Sequence, residues 1–203
     1  MTTDNQTIET YNRSAEKLAE YFKGVGPRTE HIELALELAG VSDGSGHVVE
    51  IGCGDARDAE EIIPRVASYI GFDPSTEMLR IARKRLPNTQ FVLADSLSFE
   101  YPTQLDVVFA FASLIHSGPD TNRLAIARIK NALRVGGIAM INVRIRDVYS
   151  FETQTDQFGT RVYYYYTPEL LAELAGPDFT IARESQFQIG TNTWLTLALR
   201  RAS

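Results

Sequence analysis

A single cysteine, Cys53, stands among the 203 residues, so the chain cannot form an internal disulfide and suits a reducing compartment. Histidine is almost as scarce: His31, His47 and His116 are the only three, and no cluster of His, Cys and acids has metal-ligand spacing, so no metal is expected. No apolar run approaches the roughly 18 residues that span a bilayer, and no charged-then-apolar leader opens the sequence. Basic blocks are missing too. The longest is Arg83-Lys84-Arg85, on an expected helix, in a chain of net charge −6. That triplet reads as a solvated helix face, and nucleic acid is disfavoured as the main partner because phosphate neutralisation needs a basic patch. There is no internal repeat and no low-complexity segment. The expectation is a soluble, cytoplasmic protein that engages neither nucleic acid nor membrane. It is one domain, with 44% apolar and 23% charged residues, long enough to bury a full core.

What is present is concentrated early in the chain. Val48-Val49-Glu50-Ile51 runs into Gly52-Cys53-Gly54-Asp55-Ala56, and a second apolar run, Tyr69-Ile70-Gly71-Phe72, closes on Asp73, 21 residues after Gly52. A strand that ends in a glycine turn brings bare backbone close to a ligand, and the acid closing the next strand falls where ribose hydroxyls would sit. An adenosine-containing cofactor is implied. The dinucleotide fingerprint wants a small residue five positions after its first glycine, but Arg57 stands there. Asp55 would also repel a pyrophosphate at the helix mouth. A cofactor without phosphate fits better.

Strands and helices alternate from there on, which argues for a parallel sheet with crossover helices. Strands are expected near 47–51, 67–72, 89–93, 105–110 and 137–143, and helices near 56–65, 75–86 and 120–133. Before them, Ile8, Tyr11, Ala15, Leu18, Ala19 and Phe22 recur at helical spacing, and Pro27 is placed to start a second helix through about Ala39. After them the rhythm changes. Residues 144–166 carry many aromatics, with Tyr163 to Tyr166 readable as an edge strand. Thr167-Pro168-Glu169 opens a short helix to about Ala175, and Phe179–Phe187 with Trp194–Arg200 reads as a hairpin.

In these residues the chain resembles the class I S-adenosylmethionine-dependent methyltransferases. Glu50-Ile51-Gly52-Cys53-Gly54-Asp55-Ala56 is similar to the family's acid-x-Gly-x-Gly-x-Gly motif, with alanine for the last glycine, an exchange that is harmless where the helix has already begun. Asp73, Asp95 in Val92-Leu93-Ala94-Asp95-Ser96, and Leu133-Arg134-Val135-Gly136-Gly137 match three further motifs, the last with valine for the family's proline. The ordered set covers roughly residues 48–143. The resemblance implies an α/β fold: a doubly wound, mostly parallel seven-stranded sheet with helices on both faces, a C-terminal antiparallel hairpin and an N-terminal helical lid. It divides the single domain 1–203 into a lid (1–45), a cofactor-binding core (46–143) and a substrate-wall segment with the hairpin (144–203).

The resemblance also implies roles. Asp73 would bind the ribose hydroxyls and Asp95 the adenine amino group. Gly52, Cys53 and Gly54 would form the turn beneath the cofactor, with Ser96 and Phe111 beside it and Met78 against the adenine face. Glu50 would meet the cofactor's ammonium, directly or through water, unless it caps a backbone amide. Asp73 could equally cap the following helix, Met78 could be core, and Cys53 is there for size. Arg13 or Arg28 would pair with the cofactor carboxylate. His47 and His31 read as surface or packing residues. His116 follows the fourth strand at the carboxyl edge of the sheet, where an imidazole could act as base or orienter. Tyr163 and Tyr165 would line the acceptor, with Tyr11, Arg13 and Tyr21 on the opposite wall. The expected activity is methyl transfer to an oxygen or nitrogen of a small-molecule acceptor, by a monomer or homodimer. Its rivals are a catalytically silent binding module and a nucleotide-linked oxidoreductase.

Overall fold

The computed structural model describes residues 3–203. Two helices come first, α1 (Thr3–Val25) and α2 (Thr29–Ala39). The alternating core follows: β1 (His47–Ile51), α3 (Ala59–Ile62), β2 (Ser68–Asp73), α4 (Thr76–Arg85), β3 (Gln90–Leu93), β4 (Leu105–Phe111), α5 (Pro119–Ala132) and β5 (Leu133–Ile145). The last third holds β6 (Ser150–Asp156), β7 (Gly159–Tyr165), α6 (Pro168–Ala175), β8 (Phe179–Ile189) and β9 (Asn192–Arg201).

Seven strands form one sheet in the order β3-β2-β1-β4-β5-β9-β8. The first five are parallel, and β9 is antiparallel to both β5 and β8. The order reverses between β1 and β4, so their carboxyl ends open a crevice of the kind α/β folds use for ligands. Every residue of β4 is buried, as a strand covered on both faces must be. Its side chains alternate between two cores. Val107 and Phe109 pack with Ile32 and Leu36 of α2 and Leu79 of α4, while Val108 and Ala110 pack with Ile126 and Ile129 of α5 and Leu171 of α6. Helices therefore cover both faces. Among the described residues no helix is long and apolar enough to cross a membrane.

Two segments differ from expectation. The helix anticipated at 56–65 is only four residues of α-helix and a 3-10 turn through Pro64. Ala56 has φ 65°, so the helix has not begun there and alanine occupies a left-handed position. Residues 150–165 form a separate two-stranded antiparallel sheet, β6–β7, of which sequence indicated only the second strand.

That small sheet is held by α1. Ser14 Oγ donates to the Phe158 carbonyl at 2.5 Å, Thr10 Oγ1 donates to the Thr160 carbonyl at 2.6 Å, and the Val162 amide donates to Thr7 Oγ1 at 3.1 Å. Positions 7, 10 and 14 lie on one helical stripe. Hydroxyls thus supply the partners that a third strand would have given to the edge of β7. The other flank of α1 meets α4, where Asn12 Oδ1 accepts from Ser75 Oγ (2.7 Å), Thr76 Oγ1 (3.2 Å) and the Glu77 amide (3.2 Å).

Candidate cofactor and acceptor site

A cleft of about 420 Å³ lies at the carboxyl ends of β1, β2 and β4, roofed by α1. Its floor is the glycine turn. Gly52 has φ 68°, and a Cβ there would fall 2.5 Å from Ser113 Cβ, so glycine is required on both counts. Gly54 continues the turn with φ 54° and presents its amide to Asp73 Oδ2 at 3.0 Å. The other oxygen, Asp73 Oδ1, accepts from the Ser75 amide at 2.8 Å. Ser75 Oγ caps α4 by accepting from the Met78 amide at 3.2 Å, which relieves Asp73 of that duty.

Asp73 is buried and ion-pairs with no cation among the described residues. Burial pushes its carboxyl up to about 6, against the opposing pull of the Ser75 and Gly54 amides. A carboxylate offers about four acceptor positions. The two amides use half of them, and the rest suit a pair of hydroxyl donors in the cleft. Met78, 1% exposed, lies alongside, its Cε 3.4 Å from the position a Cβ on Gly54 would take. Asp95 and Ser96 sit at the rim. The Leu97 and Ser98 amides donate to Asp95 Oδ1 at 2.8 and 2.7 Å. Partial burial raises the Asp95 carboxyl, but these bonds outweigh it and hold the group below its ordinary value.

Cys53 and Phe111 also line the cleft. The thiol is driven well up by burial, so it is no nucleophile. Arg28 lines the cleft, stacked 5.1 Å over Phe111 and paired with Asp58 at 2.6 Å. Arg13 lies elsewhere, beside Gly159. Asp55, which looked repulsive in sequence, is ion-paired with Arg85 at 2.8 Å. Arg57 lines the cleft, paired with Asp58 at 3.2 Å and lying over Phe22 at 5.4 Å. Sequence reasoning missed Asp58, Ser113 and Asn12. Asn12 meets Ser75, Asp58 meets Arg28 and Ser113 abuts Gly52, all remote in the chain, and only a polar residue inside the turn, Asp58, offered a signal.

Four expected site residues are placed otherwise. Glu50 lies behind the cleft wall, 2% exposed and outside the cleft lining. The Tyr69 hydroxyl donates to Glu50 Oε2. Burial first, and then the charge of Asp58, raise the Glu50 carboxyl to about 8. Tyr165 is buried away from the cleft, with its ring under Arg146 at 3.6 Å and its hydroxyl accepting from Gln154 at 2.8 Å. Tyr163 is buried behind His116, ring centroids 4.9 Å apart, rather than on the cleft surface. Tyr21 is exposed and leans on Phe158.

Tyr11 and His116 do line the cleft, and they meet each other. Ala112, with φ 53°, turns the chain sharply after β4, and a 3-10 turn at Leu114–His116 delivers the imidazole. Its Nδ1 lies 2.6 Å from the Val162 carbonyl and its Nε2 3.1 Å from the Tyr11 hydroxyl. A carbonyl can only accept, so Nδ1 carries the proton, Nε2 is bare and Tyr11 donates to it. Burial, aided by Arg161 and Arg144 and opposed by the Val162 bond, lowers His116 to about 4. The ring is neutral at pH 7, with both nitrogens engaged. His31 packs between Phe111 and Phe187, and His47 is exposed beside Ser68.

Residues 48–137 match the methyltransferase domain family. Over that stretch, a little under half of the chain, it is similar to methyltransferase domains, and its fold is that of solved S-adenosylmethionine-dependent methyltransferases. Among curated relatives, the chain is 35% identical to the trans-aconitate 2-methyltransferase of Acidovorax sp. (strain JS42) over 123 residues, 57% of this chain and 45% of that protein. The chain spans about half the length of the curated relatives it matches. A solved structure of Burkholderia thailandensis 1,6-didemethyltoxoflavin-N1-methyltransferase, with its named substrate and S-adenosylhomocysteine bound, superposes with TM-score 0.72 at 19% identity, over 97% of this chain and 87% of that one. The DhpI–S-adenosylhomocysteine complex superposes with TM-score 0.70 at 20% identity, over 98% and 97% of the two chains. S-adenosylmethionine is the cofactor of this class, and the residues of the cleft fit it: paired acceptor positions on Asp73, an apolar wall at Met78 and Phe111, and bare backbone at Gly52.

Proposed function

We propose that the protein transfers the methyl group of S-adenosylmethionine to an oxygen or nitrogen of a small-molecule acceptor. The observation that carries this reading is Asp73, a buried carboxylate without a cation, facing a glycine turn at the switch point of the sheet. The sulfonium supplies the activation when bound. What remains for the chain is to align the acceptor, exclude water and hold protons in place.

In this reading Asp73 and Asp95 take the hydroxyl and amino donors of the nucleoside, Met78 and Phe111 flank it, and α1 closes the cleft through Ile8 and Tyr11. Glu50 stabilises the turn from behind through Tyr69. His116 holds Tyr11. Because Tyr11 donates to Nε2, its oxygen, with Arg161 beside it, keeps a lone pair to accept a hydrogen bond from an acceptor in the cleft. A base of pKa about 4 removes protons poorly near neutrality. His116 therefore orients rather than deprotonates. The relative named for trans-aconitate, a small organic acid, supports an acceptor of that size.

Calorimetry with S-adenosylmethionine, S-adenosylhomocysteine and NAD(H) tests the cofactor, and labelled S-adenosylmethionine with a metabolite pool tests transfer. Binding of the first two ligands with incorporation of label is the expected result. Binding of NAD(H) alone would make the chain an oxidoreductase, and cofactor binding with no labelled product from any pool would make it a silent module.

A further inference from the structure

The acceptor side carries an imbalance of charge and of hydrogen bonds. Three arginines gather beneath the β6–β7 sheet. Arg146 is neutralised by Glu152 at 2.5 Å and Arg161 by Asp156. Arg144, at the carboxyl end of β5, ion-pairs with no carboxylate among the described residues. Its guanidinium lies 4.0 Å over the Tyr163 ring and 5.2 Å over Trp194, with one long contact to the Tyr165 hydroxyl at 3.4 Å. Arg161 flanks the same Tyr163 ring at 5.5 Å and reaches Tyr11 at 5.8 Å.

Three buried N–H donors here have no acceptor among the described residues: Arg144 Nε, Arg161 Nε and Trp194 Nε1. A buried donor left unpaired carries a desolvation cost that native structures rarely tolerate. Stacking on aromatic faces holds a guanidinium but satisfies none of its in-plane N–H groups. One uncompensated positive charge and three idle donors, in a chain of net charge −6, form a complement to a small anion.

We infer that the methyl acceptor is a small carboxylic acid whose carboxylate is held by Arg144, with Arg161 assisting. This rests on the methyltransferase reading and names its substrate class. A planar carboxylate matches the guanidinium fork in geometry and brings one negative charge, whereas a phosphate would bring nearly two. Arg144 is half-buried and does not itself line the cleft; the Tyr163 ring beneath it touches His116, whose other side does. An acid anchored at Arg144 would reach the cofactor past Tyr11 and His116 once the Tyr163 ring swings aside. Arg144 is thus a specificity residue, and its role differs from that of His116.

Trp194 is the chain's only tryptophan and lies against Arg144, so its fluorescence reports on this place. Protein saturated with S-adenosylhomocysteine is titrated with succinate, tricarballylate and trans-aconitate, with the methyl ester of each, and with inorganic phosphate. At least one acid should change the Trp194 emission saturably, and its ester and phosphate should bind about tenfold more weakly or worse. Arg144→Gln should weaken that acid by about tenfold or more, and Arg144→Lys by less, because it keeps the charge but loses the fork. Affinity for S-adenosylhomocysteine, read by calorimetry, should be the same in all three proteins. Esters or phosphate binding as tightly as the acids, no saturable response to any acid, or unchanged acid affinity in Arg144→Gln would each overturn the inference. If Arg144→Gln fails to fold, the acid-versus-ester comparison on wild type and Arg144→Lys still decides. Failure of S-adenosylhomocysteine to bind wild type would instead overturn the methyltransferase reading itself.

Discussion

Asp73→Asn should move stability and cofactor affinity in opposite directions. In the folded chain the Asp73 carboxyl titrates at about 6, against 3.8 for the free side chain. A raised carboxyl pKa means that the ionised form is disfavoured on folding. Its cost is absent below about pH 3.8, grows as the unfolded group ionises, and is complete above the folded value near 6. At neutral pH the shift corresponds to about 3 kcal/mol of lost stability. The amide of asparagine removes the charge but can accept from only one of the Gly54 and Ser75 amides, which returns roughly 1–3 kcal/mol. The variant should therefore be as stable as wild type or more so at pH 7, with a thermal midpoint up to several degrees higher, at about 2–4 °C per kcal/mol for a chain of this size. At pH 5 that advantage should shrink by roughly 1.4 kcal/mol, because wild-type Asp73 is then mostly protonated. Cofactor binding should suffer. Losing charge-assisted acceptance from two hydroxyls is worth about 1.5–3 kcal/mol, or roughly 10- to 150-fold in affinity for S-adenosylhomocysteine. Wild-type affinity should itself decline as pH falls through 6, since the protonated carboxyl has lost acceptor capacity. Paired calorimetry and thermal melts at both pH values check all of this. Undiminished affinity in a folded Asp73→Asn would remove Asp73 from the site, and a stability gap independent of pH would refute its buried charge.

Other outcomes follow from single contacts. His116→Asn should leave S-adenosylhomocysteine affinity intact and lower turnover by less than about tenfold, and the wild-type pH–rate profile should show no inflection near 6.5; a loss beyond about 10² with such an inflection would restore a general base. Gly52→Ala should destroy soluble expression or cofactor binding, and Ser113→Gly in the same chain should recover only part of the loss, because it removes the clash but not the left-handed backbone; a well-folded, binding Gly52→Ala would show that the turn has slack. Ala56→Gly should stabilise the fold by roughly 0.5–1 kcal/mol, as relief of a left-handed alanine exceeds the added chain entropy, and a lower melting temperature would contradict that backbone assignment. Thr10→Ala should cost about 1 kcal/mol and speed amide exchange in β7 more than in β4; uniform acceleration would mean that α1 does not hold the small sheet.

The sheet and the cofactor half of the site were legible because their signals are local. Val48 to Ala56 and Tyr69 to Asp73 each place a strand and a turn within a dozen residues, and the parallel register of β1 and β2 then brings Gly54 to Asp73. The acceptor half was not legible, because it is written in long-range pairings. Whether Tyr163 or Tyr164 faces the lid depends on β7 docking to hydroxyls of α1 some 150 positions away in sequence, and period-two alternation cannot choose a face without that partner. The Glu50 contact was not legible for the same reason: Tyr69, which donates to it, belongs to the neighbouring strand. The short α3 escaped notice because nothing in a helical pattern announces that Ala56 will take a positive φ.

The row of hydroxyls at Thr7, Thr10 and Ser14 has a consequence for anyone rebuilding this protein. A hairpin in the position of β6–β7 looks like a detachable cassette, to be exchanged between homologous chains to change what is methylated. Here its outer edge is completed by side chains of the N-terminal helix, so residues 150–165 transplanted alone would carry a raw edge into a host whose own first helix need not present hydroxyls in that spacing. The unit of exchange is discontinuous: residues 3–25 and 150–165 must travel together, and chimeras that respect this pairing should fold where single-segment grafts aggregate.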